Sequence, residues 1–145
     1  MELVTSRFGL VEFETDEIIT FERGLFGFET AHQWLLFADA HHPLLSWLQS
    51  LARPDIALPV ASPYEITPGY RLSVPAREMA DFSCNSRSLM VLVELTRHCE
   101  SVTVNLTLPI IVDWSRRLGR QVVMSGNQAV QCAMSKQVVP LRQSA

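Results

Sequence analysis

Few side chains in this sequence stand where they could do chemistry together. His41 and His42 precede Pro43 as immediate neighbours. Neighbours on an extended chain point to opposite faces, so they are expected to be solvated loop histidines rather than ligands of a shared metal. His98 and Cys99 meet the same geometric objection as a base and nucleophile, and a surface turn is the expected setting. Cys84, Cys99 and Cys132 are odd in number and lack C-x-x-C spacing, which indicates neither a disulfide framework nor a zinc site; buried, reduced thiols are expected. A G-x-S-x-G elbow, a phosphate-cradling glycine loop followed by lysine, and a dinucleotide fingerprint are all missing from the sequence. The expectation is a protein that binds rather than catalyses, with no catalytic residue, no metal and no cofactor.

Two kinds of binding surface are then open. Trp114, Arg116, Arg117 and Arg120 are a fragment of the aromatic and basic pattern by which small barrels hold RNA or single strands, and a nucleic-acid-binding module is the alternative reading. Against it, the aromatics Phe13, Phe21 and Phe28 lie in the acidic part of the chain, which repels phosphate. Residues 1–29 hold seven carboxylates against two arginines, and residues 115–145 hold five basic residues and no acid. Such a split steers a charged protein partner and orients its approach.

The stretch Ile18 to Phe28, IITFERGLFGF, is the strongest docking candidate. Gly24 and Gly27 admit backbone angles closed to other residues, so the turn between them is stiff while Leu25, Phe26 and Phe28 have little room to hide. The competing reading plugs Leu25 and Phe28 into the end of a sheet core. Asn105 falls inside a strand pattern, where asparagine is disfavoured. Its amide either satisfies the backbone of a bulge, the favoured reading, or faces a partner.

These residues need a scaffold, and the scaffold reads as strands. Short β-branched or aromatic runs cover Glu2 to Thr5, Leu10 to Glu14, Ile18 to Phe21, Gln33 to Phe37, Leu45 to Gln49, Ile56 to Ala61, Tyr70 to Val74, Leu89 to Leu95, Val102 to Leu106, Pro109 to Asp113 and Gln121 to Met124. The first two form a hairpin, and Val11 and Phe13 alternate with Glu12 and Glu14 as on a sheet with one wet face. Ser88 to Glu94 is nearly all apolar and predicts a central strand buried on both faces. One short helix is predicted at Pro75 to Asp81, as a lid over one barrel end. Arg116 to Gly119 reads as a hairpin tip with Gly119 left-handed and its arginines in water. The fold class is therefore all-β, mainly antiparallel: a small barrel-like single domain over residues 1–145, with a variable and poorly ordered tail beyond about residue 126. At 145 residues the chain is long enough to bury a full core without a staple. No apolar run spans a bilayer, and MELVTSRFG lacks the basic-then-apolar order of a signal peptide, so a cytoplasmic protein without membrane attachment is expected.

Three blocks taken in order resemble one family, the flagellar assembly factor FliW. They are Ile19-Thr20-Phe21 with Gly24-Leu25 and Gly27-Phe28-Glu29; Trp47-Leu48-Gln49-Ser50 with Pro54 and Leu58-Pro59-Val60; and Thr103-Val104-Asn105-Leu106 with Pro109-Ile110 and Gly119-Arg120-Gln121. Their order and spacing over Leu3 to Met124 make the match more specific than any single block. The resemblance implies a small β-barrel-like protein without catalytic activity or cofactor. It also implies two protein partners: flagellin, and CsrA, a small RNA-binding dimer that represses flagellin translation. Flagellin and CsrA compete for members of the family, so secretion of flagellin frees the factor to sequester CsrA and relieve repression. No direct contact with nucleic acid is implied. Partner-binding residues are expected in the first and third blocks, at Leu25, Phe26, Asn105, Leu106, Pro109 and Ile110. Glu22 and Phe26 stand where the family commonly carries prolines.

Overall fold

The computed structural model describes residues 1–80, 82, 86–98 and 101–124. Among the described residues, nine strands run in chain order as β1 (Glu2–Thr5), β2 (Gly9–Glu12), β3 (Ile19–Phe21), β4 (Gln33–Ala38), β5 (Ser46–Ser50), β6 (Ala57–Ala61), β7 (Leu89–His98), β8 (Ser101–Asp113) and β9 (Leu118–Gln121). β1 and β2 form a separate two-stranded hairpin, and β3 to β9 close into a seven-stranded barrel. Neighbouring barrel strands pair antiparallel except at the seam, where β3 lies parallel to β9. Closure pairs the outer strands β3 and β9 with each other and so removes most of the open edge that a flat sheet of this length would expose.

Alternation along the strands sorts the apolar residues. Phe21, Trp34, Leu48, Val60, Leu92 and Ile110 belong to the first buried cluster, which fills the barrel. Trp47, Ala61, Val93, Leu95, Val102 and Val104 form a second cluster, to which Phe8 from the hairpin turn and Ile66 add their side chains. Leu89 adds to a third, around Phe82, Ile111 and Val122. β7 therefore contributes to all three, as its near-continuous apolar run predicts. Phe8 tethers the hairpin to the barrel by packing edge-on against Phe37 and Trp47, at 4.7 and 5.6 Å between ring centroids.

Several expectations are corrected. Tyr70 to Val74 is not a strand; the Ser73 amide and the Tyr70 hydroxyl both turn to the Met124 sulfur, so this segment lies against a side chain instead of a ladder. Val102 to Leu106 and Pro109 to Asp113 are one strand, β8, opposed to β7 with a register shift between Leu92 and Glu94. Pro109 is accommodated beside that irregularity, where a strand tolerates a residue with no N–H. The last predicted strand lies earlier, at Leu118–Gln121. The left-handed residue of its turn is Arg117, with φ 52°, not Gly119. Gly119 is in β9, and a Cβ there would collide with the Phe21 ring, so it is glycine for close approach.

The helical content also differs from one helix at Pro75 to Asp81. That region carries a 3-10 turn, Ala76–Met79, and Asp81 lies outside the described residues. Among the described residues the one α-helix is a single turn, α1 (Pro63–Ile66), with proline in its first positions. Further 3-10 turns lie at Thr15–Glu17 and Ser86–Ser88. The three cysteines and the tail from residue 125 fall outside the described residues.

Candidate functional site

Leaving β3, the chain enters the glycine loop, where five consecutive N–H groups are satisfied. Gly24 donates to the Phe21 carbonyl at 2.9 Å, while Leu25 and Phe28 donate to each other's carbonyls at 3.3 and 2.7 Å. The Phe26 N–H donates to Gln121 Oε1 at 2.9 Å, and the Gly27 N–H donates to Glu29 Oε2 at 2.9 Å. Gly27 has φ 91° at the third position of this tight turn, the left-handed position that a type II turn reserves for glycine. A loop with every donor engaged is rigid without being buried.

That rigidity sorts the side chains. Leu25 turns into the core at 2% exposure, Phe28 packs edge-on against Trp34, and Phe26 stands out at 46% exposure. Beside Phe26 lies an open depression of about 380 Å³ whose walls include Gly24, Arg77, Gln121, Val123 and Met124. Val123, at 60% exposure, is a second apolar side chain on this surface. Glu78 marks the polar side: it lies 3.0 Å from Arg23 and 3.9 Å from the buried Arg120, and its carbonyl accepts from Arg120 Nη1 at 2.7 Å. The Arg23 pair is exposed and adds little stability, whereas the Arg120 contact straps the 3-10 turn to β9.

Gln121 joins the first and third sequence blocks. Its Oε1 holds the glycine loop, and its Nε2 donates to the Leu108 carbonyl at 3.1 Å. The segment after β9 continues this seam, with Val122 donating to the Pro109 carbonyl and Met124 to the Thr107 carbonyl, both at 3.0 Å. Asn105 closes the irregular part of β8, its Oδ1 accepting from the Thr107 N–H and hydroxyl at 3.2 and 2.8 Å. This is the local backbone role expected of a mid-strand asparagine. Asn105 and Gln121, which holds the Phe26 N–H, thus bond to adjacent residues of β8, Thr107 and Leu108. Asn105 is half-buried, whereas Leu106, Pro109 and Ile110 are buried. Of the six expected partner-binding residues, Phe26 and Asn105 present surface, Leu25 and Ile110 lie in the first core cluster, Leu106 in the second, and Pro109 is buried in β8. Gln121 was legible only as part of Gly119-Arg120-Gln121; its partners lie 95 and 13 residues away in sequence, so no local pattern signals its role.

The second block is structural. Gln49 Nε2 donates to the carbonyls of Ser50 and Pro54, and Ser50 Oγ accepts from the Arg53 N–H, which pins the β5–β6 turn. Trp47 Nε1 donates to Asp39 Oδ1, while the His41 and His42 N–H groups donate to Asp39 Oδ2, each at 2.9 Å. Desolvation pushes the Asp39 carboxyl upward, but these hydrogen bonds outweigh it and hold the group below the usual aspartate range. The histidines therefore serve a turn through their backbones. Among the described residues, no cluster of three or more His, Cys, Asp or Glu is placed to hold a metal ion.

The basic turn meets expectation in part: Arg116 is exposed, whereas Arg117 is half-buried. Arg117 lies over the Trp114 ring, 4.5 Å from its centroid, and Arg120 is buried with its guanidinium over Phe82. Arg117 and Arg120, which the nucleic-acid reading requires, are thus engaged within the protein.

Glu94 lies opposite Asn105 in the β7–β8 ladder and opposite Val60 in the β6–β7 ladder. Burial raises its carboxyl above the ordinary value. A folded-state value above the unfolded one means that stability is lost as pH rises through the folded value. Glu94→Gln is expected to melt higher than the parent at pH 7, with the gain vanishing below the ordinary glutamate range. Thermal melts at the two pH values check this, and a gain independent of pH would contradict it.

The family model described as FliW protein matches residues 2–135. The chain is 32% identical over 133 residues to the flagellar assembly factor FliW of Caldanaerobacter subterraneus subsp. tengcongensis, a match covering 88% of each. It is 31% identical over 130 residues to the flagellar assembly factor FliW of Bdellovibrio bacteriovorus, covering 88% of this chain and 74% of the relative. A crystal structure of the flagellar assembly factor FliW superposes with a TM-score of 0.79 at 24% identity, over 88% of this chain and 91% of the other. At that identity the superposition shows the shared fold.

Proposed function

The chain belongs to the FliW family, and from that membership we propose that it is a flagellar assembly factor acting in the cytoplasm by binding flagellin and CsrA. It holds CsrA off its RNA when flagellin is scarce and releases it when flagellin occupies the shared factor, so flagellin synthesis follows secretion. The protein works by occupation, with no bond made or broken. The observation that carries the docking part of this reading is the glycine loop: Phe26 is held out of the core by a turn in which every N–H from Gly24 to Phe28 is bonded. An apolar anchor fixed before encounter loses little entropy on binding, and a few such anchors dominate most interfaces. We place Phe26 at the centre of the partner surface, Asn105 at its edge, and Leu25, Leu106, Pro109 and Ile110 beneath it.

Co-purification of the tagged chain from its own cells, probed for flagellin and CsrA, tests the proposal. Recovery of both supports it; a folded sample that recovers neither overturns it.

A further inference from the structure

A second surface lies at the other end of β9, where the β1–β2 hairpin leaves a groove against the barrel. Its walls include three consecutive residues of each side, Val11 to Phe13 and Leu35 to Phe37, with Trp114 also lining it. Alternate strand residues face opposite ways, so consecutive lining residues mean that backbone edges border the groove as well as side chains.

The pairing shows why those edges are free. β2 pairs only with β1 among the described strands. β3 pairs with β4 at Gln33 and Trp34 and reaches no further. The His32 carbonyl bonds toward β3 and the Gln33 carbonyl toward Leu51 on the β5 side. Continuing that alternation turns the N–H and C=O of Leu36 toward the side that β3 has vacated. The Leu36 side chain packs against the barrel core, and Leu36 is one of the residues that line the groove. An exposed strand edge of this kind takes an added strand from another chain.

Charge and aromatic surface select the occupant. Glu12 and Glu17 line the groove against one base, Arg117, and the stretch that borders it, with Glu12, Glu14, Asp16 and Glu17, is a run of carboxylates. Arg117 is itself drawn onto the Trp114 ring, 4.5 Å from its centroid. The floor supplied by Phe13 and Leu35 is apolar and buried.

We propose that this groove binds an extended basic segment of a partner protein, added as a strand on the Leu36 edge of β4, with alternate side chains taken by the apolar floor and by Glu12. The segment is defined by its chemistry, lysine or arginine alternating with β-branched residues. The site is independent of the Phe26 surface, and its test requires neither flagellin nor CsrA.

The probe is a fluorescein-labelled Lys-Val-Lys-Val-Lys-Val amide titrated into the full chain by anisotropy, with Glu-Val-Glu-Val-Glu-Val as control. The basic peptide is expected to bind saturably and the acidic one not to bind. Glu12→Lys, an exposed substitution, is expected to weaken binding roughly tenfold. Hydrogen exchange at the Leu36 amide is expected to slow at least tenfold at saturating peptide, a readout that mere charge attraction would not move. Absence of binding, equal binding of the two peptides, or unchanged Leu36 exchange would overturn the proposal. A peptide-free dimer that protects the Leu36 amide would assign the groove to a second copy of the chain and overturn it equally.

Discussion

Phe26→Ala is expected to weaken flagellin binding by about 2 kcal/mol or more, roughly thirtyfold in Kd, while leaving the melting temperature nearly unchanged. The separation follows from the loop's construction. Phe26 is 46% exposed, and the contact that fixes it is made by its N–H with Gln121 Oε1, so removing the ring leaves the turn's hydrogen bonds in place. Ile110→Ala should do the reverse. Ile110 is fully buried among Phe21, Trp34, Leu48 and Val112, and truncation of such a side chain costs about 2 to 5 kcal/mol of stability. Titration calorimetry beside urea unfolding reads both effects. Equal losses of binding and stability in Phe26→Ala would return that residue to a packing role.

The two loop glycines should separate by their surroundings. Gly24 and Gly27 both have left-handed backbones, with φ 66° and 91°, which costs other residues about 1 to 2 kcal/mol. A Cβ on Gly24 would stand 2.5 Å from the Phe28 carbonyl oxygen and 2.6 Å from that of Glu29, whereas one on Gly27 meets nothing within 4 Å. Backbone atoms cannot step aside as a side chain does, and overpacking adds about 1 to 3 kcal/mol. Gly24→Ala is therefore expected to cost about 2 to 5 kcal/mol of stability and to displace Phe26, losing partner binding with it. Gly27→Ala should lose only the backbone term. Indistinguishable urea midpoints for the two variants would contradict this account of the loop.

The sequence made the strands legible where alternation or an apolar run was clean. The hairpin around Ser6 to Gly9 and the strands of the Gln33, Leu45, Ile56 and Leu89 runs lie within a few residues of their expected places. Boundaries failed where tertiary contacts replaced the ladder, as at Tyr70 to Val74 against the Met124 sulfur. Gly119 is ambiguous in the sequence because a turn and a close approach both call for glycine, and only the Phe21 ring decides between them. In the candidate site, the two glycines and Phe26 were visible because their types are restrictive. Whether a loop leucine or proline points inward is not written in its neighbours. Leu106 and Pro109 are buried by the path of β8, and Gln121 acts on a loop remote in sequence.

Occupation of a translational repressor by this chain is measured most directly with CsrA bound to labelled flagellin leader RNA in a native gel. Adding the chain should release the RNA, and adding flagellin should restore the shifted band. An RNA band that stays shifted under a large excess of the folded chain would contradict the account.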